Sequence, residues 1–238
     1  AIIYIDNHLR RRAGVCARRT AAEKDGNGGF FGRMKVILVN GSPHETGSTY
    51  TALKEAEKAL NAAGVQTEIF WVGKKPVSGC IACGACRKLG KCFMDDIVNE
   101  FAAKAAEADG FIFGSPVHYA SAAGTVKAFM DRAFYNGGKN MRYKPAAAVV
   151  SCRRAGGTAT FDMLNKYFTI SCMPVVSSNY WNEIHGGNAD EARRDEEGVQ
   201  TMRVLGSNMA WLLKCIAAGR KEGIVPVEEK KIYTNFIR

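Results

Sequence analysis

The chain has 238 residues, 47% of them hydrophobic, enough for one large core and with no sign of a second domain. Its formal net charge is +10, a basic balance that suits anionic small molecules; without a dense basic patch carrying interleaved aromatics, no nucleic-acid partner is expected. No apolar run approaches the roughly 18 residues a membrane span needs, so no membrane partner is expected either.

Residues 1–33 hold seven Lys/Arg against three acids and lack both the apolar core of a signal peptide and any periodicity. They read as an upstream extension with no functional part, an Arg- and Ala-rich targeting presequence being the alternative, and 34–238 as the folded domain. Val36-Ile37-Leu38-Val39 is a buried-strand run. It meets Asn40-Gly41-Ser42-Pro43 and Thr46-Gly47-Ser48-Thr49, after which Leu53, Ala56, Leu60 and Ala63 recur at helical spacing. Such a loop points free helix N–H groups at a ligand, by default a phosphate. It lacks the Lys of G-x-x-x-x-G-K-[ST] and does not fit G-x-G-x-x-G, which leaves small hydroxyls and backbone donors to hold the anion. A turn followed by a helix cap is the plainer reading of the same residues.

Residues 65–71 alternate as a second strand. A cysteine-rich segment, 76–92, precedes a helix expected over about 95–108, with Asp95 and Asp96 at its positive end. A third strand spans 110–114 and breaks at Ser115-Pro116, and a helix follows over about 122–134. The fourth strand is 146–151. Then come Cys152-Arg153-Arg154-Ala155-Gly156-Gly157, a helix over about 158–170, a fifth strand over 174–177, a polar stretch over 179–197 and a last helix near 199–218. Five strands alternating with five helices predict an α/β fold: a doubly wound five-stranded parallel sheet, order 2-1-3-4-5, in three α/β/α layers.

In that order three loops meet at the switch point: 41–49, 115–119 and 151–157. The second offers Pro116, Val117, His118 and Tyr119 as a flat wall for a planar ring. The third offers Gly156 and Gly157 for close backbone approach, with Arg153 and Arg154 as cations. A phosphate loop, a ring wall and a Gly-rich loop together describe a site for flavin mononucleotide, FMN.

The pattern N-G-S-P-x-x-x-G-S-T, then S-P-V-H-Y with Val126-Lys-Ala-Phe-Met-Asp-Arg132 downstream, resembles the NADPH-dependent FMN reductase and iron–sulfur flavoprotein group of flavodoxin-like proteins. Tyr180-Trp-Asn-Glu-Ile-His-Gly186, Asp195-Glu-Glu-Gly198 and Leu205-Gly-Ser-Asn-Met-Ala-Trp211 resemble its cysteine-containing branch, so the likeness covers essentially all of 34–238. It implies that Ser42, Ser48 and Thr49 bind the FMN phosphate, that Pro116, Val117, His118 and Tyr119 line the isoalloxazine, and that Arg153, Gly156 and Gly157 close its pyrimidine side. His118 stands where many members have Tyr, and His44 where a basic residue is usual. NAD(P)H is the implied electron donor. With the chemistry resident in the flavin, no side chain is required as nucleophile or general base. A cation from Arg153 or Arg154 near the flavin N1/O2 edge would favour two-electron chemistry.

Cys80, Cys83, Cys86 and Cys92 form C-x2-C-x2-C-x5-C, a spacing that can wrap a compact [4Fe–4S] cube. Zinc sites usually split their ligands into two separated pairs and fit less well. Structural Gly-Cys turns or a labile disulfide are the other readings. Cys16, Cys152, Cys172 and Cys215 are isolated and read as small buried hydrophobes. The stretch holding Trp181 and His185 either folds over the flavin or packs on a partner subunit.

Two functions stay open. The leading one is an FMN-dependent NAD(P)H oxidoreductase acting on a small acceptor such as a quinone, a free flavin, or a nitro or azo compound. The other is an iron–sulfur flavoprotein relaying single electrons between a [4Fe–4S] cluster, FMN and a ferredoxin-like partner. A thiol-based redox or metal sensor without flavin is a third, weaker reading. Eight cysteines without a secretory signal point to reduced thiols, and a cytoplasmic homodimer or homotetramer is expected.

Overall fold

The structure, a computed structural model, describes residues 34–234 and 236, so the expectations for 1–33 lie outside the described residues. Strand β1 (Lys35–Asn40) is buried almost throughout and pairs in parallel with β2 (Gln66–Trp71) on one side and β3 (Gly110–His118) on the other. The two-residue β4 (Ser121–Ala122) folds back antiparallel on Val117 and His118. On the far side of β3 lie β5 (Ala146–Cys152) and then β6 (Glu183–His185), both parallel, giving the order β2-β1-β3-β5-β6. This is the predicted doubly wound topology, with β4 added off the main path.

Alternation along each strand sorts the core into two layers. Ile37, Val39, Phe111, Phe113, Ala148 and Val150 face one way, against Phe101 of α3 (Ile97–Glu107), Phe129 of α4 (Gly124–Met141) and Phe168 of α5 (Gly157–Ile170). Val36, Leu38, Ile112, Ala147 and Val149 face the other way, against Leu53 and Leu60 of α1 (Ser48–Ala62) and Met202 and Leu205 of α7 (Glu196–Lys221). Phe101 is the hub of the first layer: its ring centroid lies 5.1 Å from Phe129, 5.4 Å from Phe70 and 5.9 Å from Phe113, all edge-on. Two short helices complete the chain: α2 (Ala85–Leu89), which buries no residue, and α6 (Ala189–Arg194). No helix among the described residues is long and apolar enough to cross a membrane.

Three boundaries differ from expectation. The fifth parallel strand is Glu183–His185, inside the stretch read as polar loop; the apolar 174–177 contributes only one bridge, Val175 to Ala146. The third strand does not stop at Ser115 but runs to His118. Beyond Gly114 it has outrun its β1 partners, and Ser115 and Pro116 pair with β5 alone, where a proline is tolerated as on a sheet edge. Helix α4 continues to Met141, a full two turns past the predicted end, carrying Gly137 against Ala102 of α3.

The chain leaves β1 at Gly41, whose N–H donates to the Gly114 carbonyl at 2.9 Å. A Cβ there would run into the Val126 side chain and stand 2.8 Å from the Gly114 oxygen, whereas one at Gly124 would meet nothing within 4 Å. Gly41→Ala is therefore expected to lower stability by about 1–3 kcal/mol through overpacking, read as a shift of the urea midpoint. Gly124→Ala, at the first position of α4, should leave the midpoint unchanged or raise it.

Candidate functional site

The first loop is tied down by Asn40, which is wholly buried. Its Nδ2 donates to the Glu45 carbonyl at 2.9 Å, and its Oδ1 accepts from the Ser42 N–H at 3.1 Å. Ser42 is itself buried: its Oγ accepts from the His44 N–H, and its carbonyl accepts from Trp71 Nε1 at 2.8 Å. The loop then delivers α1 with Gly47 at its N-cap and no side-chain cap, so the first N–H groups of a fifteen-residue helix are left for a ligand. Ser48 is half-buried beside them, with Oγ 3.3 Å from the Gly186 carbonyl, and Thr49 Oγ1 lies 2.7 Å from Ser151 Oγ on β5. Asn40, Trp71 and Ser151 were not singled out in the sequence; a polar residue ending a buried strand was the available signal for the first.

The three predicted loops do converge on the carboxyl edge. Gly41 bonds to β3, Thr49 to β5, and a Cβ at Gly156, in the left-handed region at φ +91°, would stand 2.8 Å from Val117. Close approach thus brings the Gly-rich loop against the ring wall. Pro116 and Val117 are partly buried, while His118, Tyr119, Arg153 and Arg154 are exposed, Tyr119 completely. Gly157 begins α5, and the Glu183 carboxylate occupies the place its Cβ would take. Burial pushes the Glu183 carboxyl above its ordinary range, His185 pulling the other way. Burial also pushes the Cys152 thiol up, with Glu183 adding to the effect. These residues can hold a neutral ring edge and a phosphate; none is placed as a nucleophile.

The four cysteines form a second feature. All four line one cavity of about 160 Å³, together with Arg132 and Tyr135 of α4. Every one is a free thiol. Among the described residues, no three of these four thiols offer sulfurs within 4.8 Å of one another, the span of a single ion's ligands. Gly84 and Gly90, at φ +69° and +71°, bracket the single turn that carries Cys86. Cys92 is clamped by Asn99, whose Oδ1 accepts its N–H and whose Nδ2 donates to its carbonyl, both at 2.9 Å.

Behind the cavity lies Arg132, 2% exposed. Its guanidinium donates to both oxygens of Asp96 at 2.6 and 2.9 Å, to the Met94 carbonyl at 2.9 Å and to Cys92 Sγ at 3.3 Å. Burial works against the charge, but Asp96 and Cys92 outweigh it and hold the guanidinium above its usual range. Asp96 stands at the positive end of α3, as the sequence predicted; that it caps the helix by accepting from the Val98 N–H, and that it pairs with Arg132, the sequence did not show.

Comparison with known proteins agrees with this geometry. Residues 34–187 match the family described as NADPH-dependent FMN reductase. An iron–sulfur flavoprotein of Methanocaldococcus jannaschii is 35% identical over 191 residues, covering 77% of this chain and 99% of the relative. The iron–sulfur flavoprotein of Methanosarcina thermophila is 28% identical over 191 residues, 79% of this chain and 99% of that one. Among solved structures, RosB superposes with a TM-score of 0.62 at 14% identity, covering 86% of this chain and 92% of that chain. An archaeal flavodoxin superposes at 0.53 and 15% identity, over 76% and 99% of the two chains; at such identities the likeness speaks for the fold alone. The chain belongs to the NADPH-dependent FMN reductase family of flavodoxin-like proteins, in the group of its iron–sulfur flavoprotein relatives.

Proposed function

We propose that this oxidoreductase is an iron–sulfur flavoprotein: FMN sits at the carboxyl edge of the sheet, a [4Fe–4S] cluster is held by Cys80, Cys83, Cys86 and Cys92, and a ferredoxin-like partner exchanges single electrons with it. The observation that carries this reading is the single cavity lined by all four free thiols. When bound, the flavin supplies two-electron and one-electron chemistry and the cluster one-electron storage.

The side chains bind, orient and tune. The uncapped N-terminus of α1 with Ser48 would receive the phosphate, Ser42 and Thr49 keeping the loop in shape through their internal bonds. Val117 and Gly156 would back the ring. Arg132 sets a positive charge and a donor beside Cys92 Sγ, which stabilises the thiolate and favours the more reduced charge state, since hydrogen bonds to sulfur and local charge set the potential of such groups.

A second reading, reduction of a small acceptor by NAD(P)H at the same flavin, is favoured by the open end of β3, where His118 and Tyr119 stand in solvent. Ile81, Phe93 and Tyr135, exposed around the thiol cavity, support association of copies through that face, as a homodimer or homotetramer. Seven free thiols among the described residues support a reducing, cytoplasmic setting.

Anaerobic isolation should yield flavin together with about four irons and as many sulfides per chain, and Cys83→Ser should lose the iron while keeping the flavin. Flavin with negligible iron in the parent protein would leave the second reading. Ser48→Ala should weaken FMN binding about tenfold, the worth of one lost hydrogen bond, in a fluorescence titration, without moving the thermal midpoint. Arg132→Lys keeps the charge and loses the fork. Because the charge stays and Asp96 keeps a third of its side chain in water, the expected loss is about 1.5–3 kcal/mol, the worth of hydrogen bonds to a charged group. Urea unfolding reads that loss, and iron retention should fall with it; equal stability in the variant would remove Arg132 from this role.

A further inference from the structure

Cys152, read from the sequence as a small buried hydrophobe, has neighbours that make it something else. It ends β5 opposite His185, and Val150 stands opposite Glu183 two residues earlier. Registered partners on parallel strands point to the same face, as do residues two apart, so the thiol, the imidazole and the carboxylate all project on the α5 side of the sheet. Each offers a ligand atom within 4.8 Å of the other two, and among the described residues no other group of His, Cys, Asp and Glu is that tight. Cys152 is 5% exposed and His185 is exposed, so the trio has a closed floor and an open mouth.

Two details separate this cluster from ordinary packing. Glu183 Oε1 is buried with no hydrogen-bond partner, a costly state for a carboxylate that a cation would relieve. His185 is steered from behind by Asp195, whose Oδ2 accepts the His185 backbone N–H at 2.6 Å and lies 3.6 Å from Nδ1, while Oδ1 accepts from Gly198 N–H at the start of α7. The carboxylate thus fixes the His185 backbone and stands near the ring without hydrogen-bonding to it, close to the place a supporting carboxylate takes behind a metal ligand.

We propose that Cys152, Glu183 and His185 form a site for a divalent transition metal of the zinc or ferrous class, separate from the four-cysteine cavity. One sulfur, one nitrogen and one oxygen donor suit those ions, whereas magnesium and calcium call for oxygens throughout. Three protein ligands leave a tetrahedral ion one open position, the pattern of ions that bind a further small ligand rather than of purely structural ones. The site uses no residue assigned to the flavin phosphate or to the cluster and does not rest on either.

The test is titration of the anaerobically isolated protein with Co²⁺, whose thiolate charge-transfer absorption reports a bound sulfur. One equivalent per chain should give the band in the parent protein and in the variant with Cys80, Cys83, Cys86 and Cys92 all changed to Ser alike, since the second lacks the other thiol set. In that four-Ser variant, Cys152→Ser should abolish the band, and His185→Ala and Glu183→Gln should each weaken binding tenfold or more, at least the effect of losing a supporting residue. A band that persists when Cys152→Ser is added to the four-Ser variant, a band lost in the four-Ser variant itself, or affinity unchanged in Glu183→Gln would overturn the proposal. Glu183→Gln keeps the shape of the side chain and decides the matter if Cys152→Ser does not fold. A parent preparation without iron or flavin, with the band still present in the four-Ser variant, would keep this site and remove the reading of the previous section.

Discussion

A guanidinium with almost no access to water holds the cysteine segment to the body of the protein. Arg132 sits on α4, whose Phe129 and Met130 are fixed in the aromatic core, and four of its contacts reach into residues 78–96. That segment has little else to rely on, since α2 buries nothing and the cysteines there are exposed or half-exposed. A charge this deep is retained only where its partners are well placed, and Asp96 meets it with both oxygens. Asp96 also caps α3, so one carboxylate fixes the start of a helix and neutralises the cation that shapes the thiol cavity.

The same economy operates at the sheet edge. Asn40 ends β1 and uses its amide to fold the first loop; Gly41 lets that loop pass against β3 and Val126; Thr49 reaches Ser151 on β5. The loops are thereby braced by the strands beneath them, and the free N–H groups of α1 are aimed by rigid neighbours. A binding site of this kind is preformed, with little ordering entropy left for the ligand to overcome.

The architecture and the placement of the three loops were legible because strong signals carried them: the Val36 to Val39 run, the helical spacing after Ser48, and the Gly and Pro residues at strand ends. The fifth strand was not. Glu183-Ile184-His185 is three residues long with one apolar member, and an edge strand with one face toward polar groups needs no more, so no run or alternation announces it. The apolar 174–177 drew the assignment instead, although it makes one bridge only. Misplacing that strand by nine residues hid the facing of Cys152 and His185, which is a matter of register and not of composition. Arg132 was visible as a motif residue, but a basic residue in a helix most often faces water, and only tertiary packing shows that this one does not.

Strand order then relates the pieces chemically. The thiol segment follows β2, the loop over 41–49 follows β1, Pro116, Val117 and His118 end β3, the Gly-rich loop follows β5, and Cys152 and His185 lie at the β5/β6 end. Read across the sheet, the carboxyl edge runs from sulfur donors, past a helix N-terminus suited to an anion, to a mixed sulfur, nitrogen and oxygen group. The middle of that row is the most tightly bonded and the two ends the least, with the thiols clamped chiefly through Arg132 and Asn99 and the trio through Asp195. Bound groups gain from rigid surroundings, because donors already in place need little ordering when the group binds. The clamps at the two ends supply locally what the sheet supplies in the middle, which is why a single carboxylate or guanidinium there bears so much of the geometry.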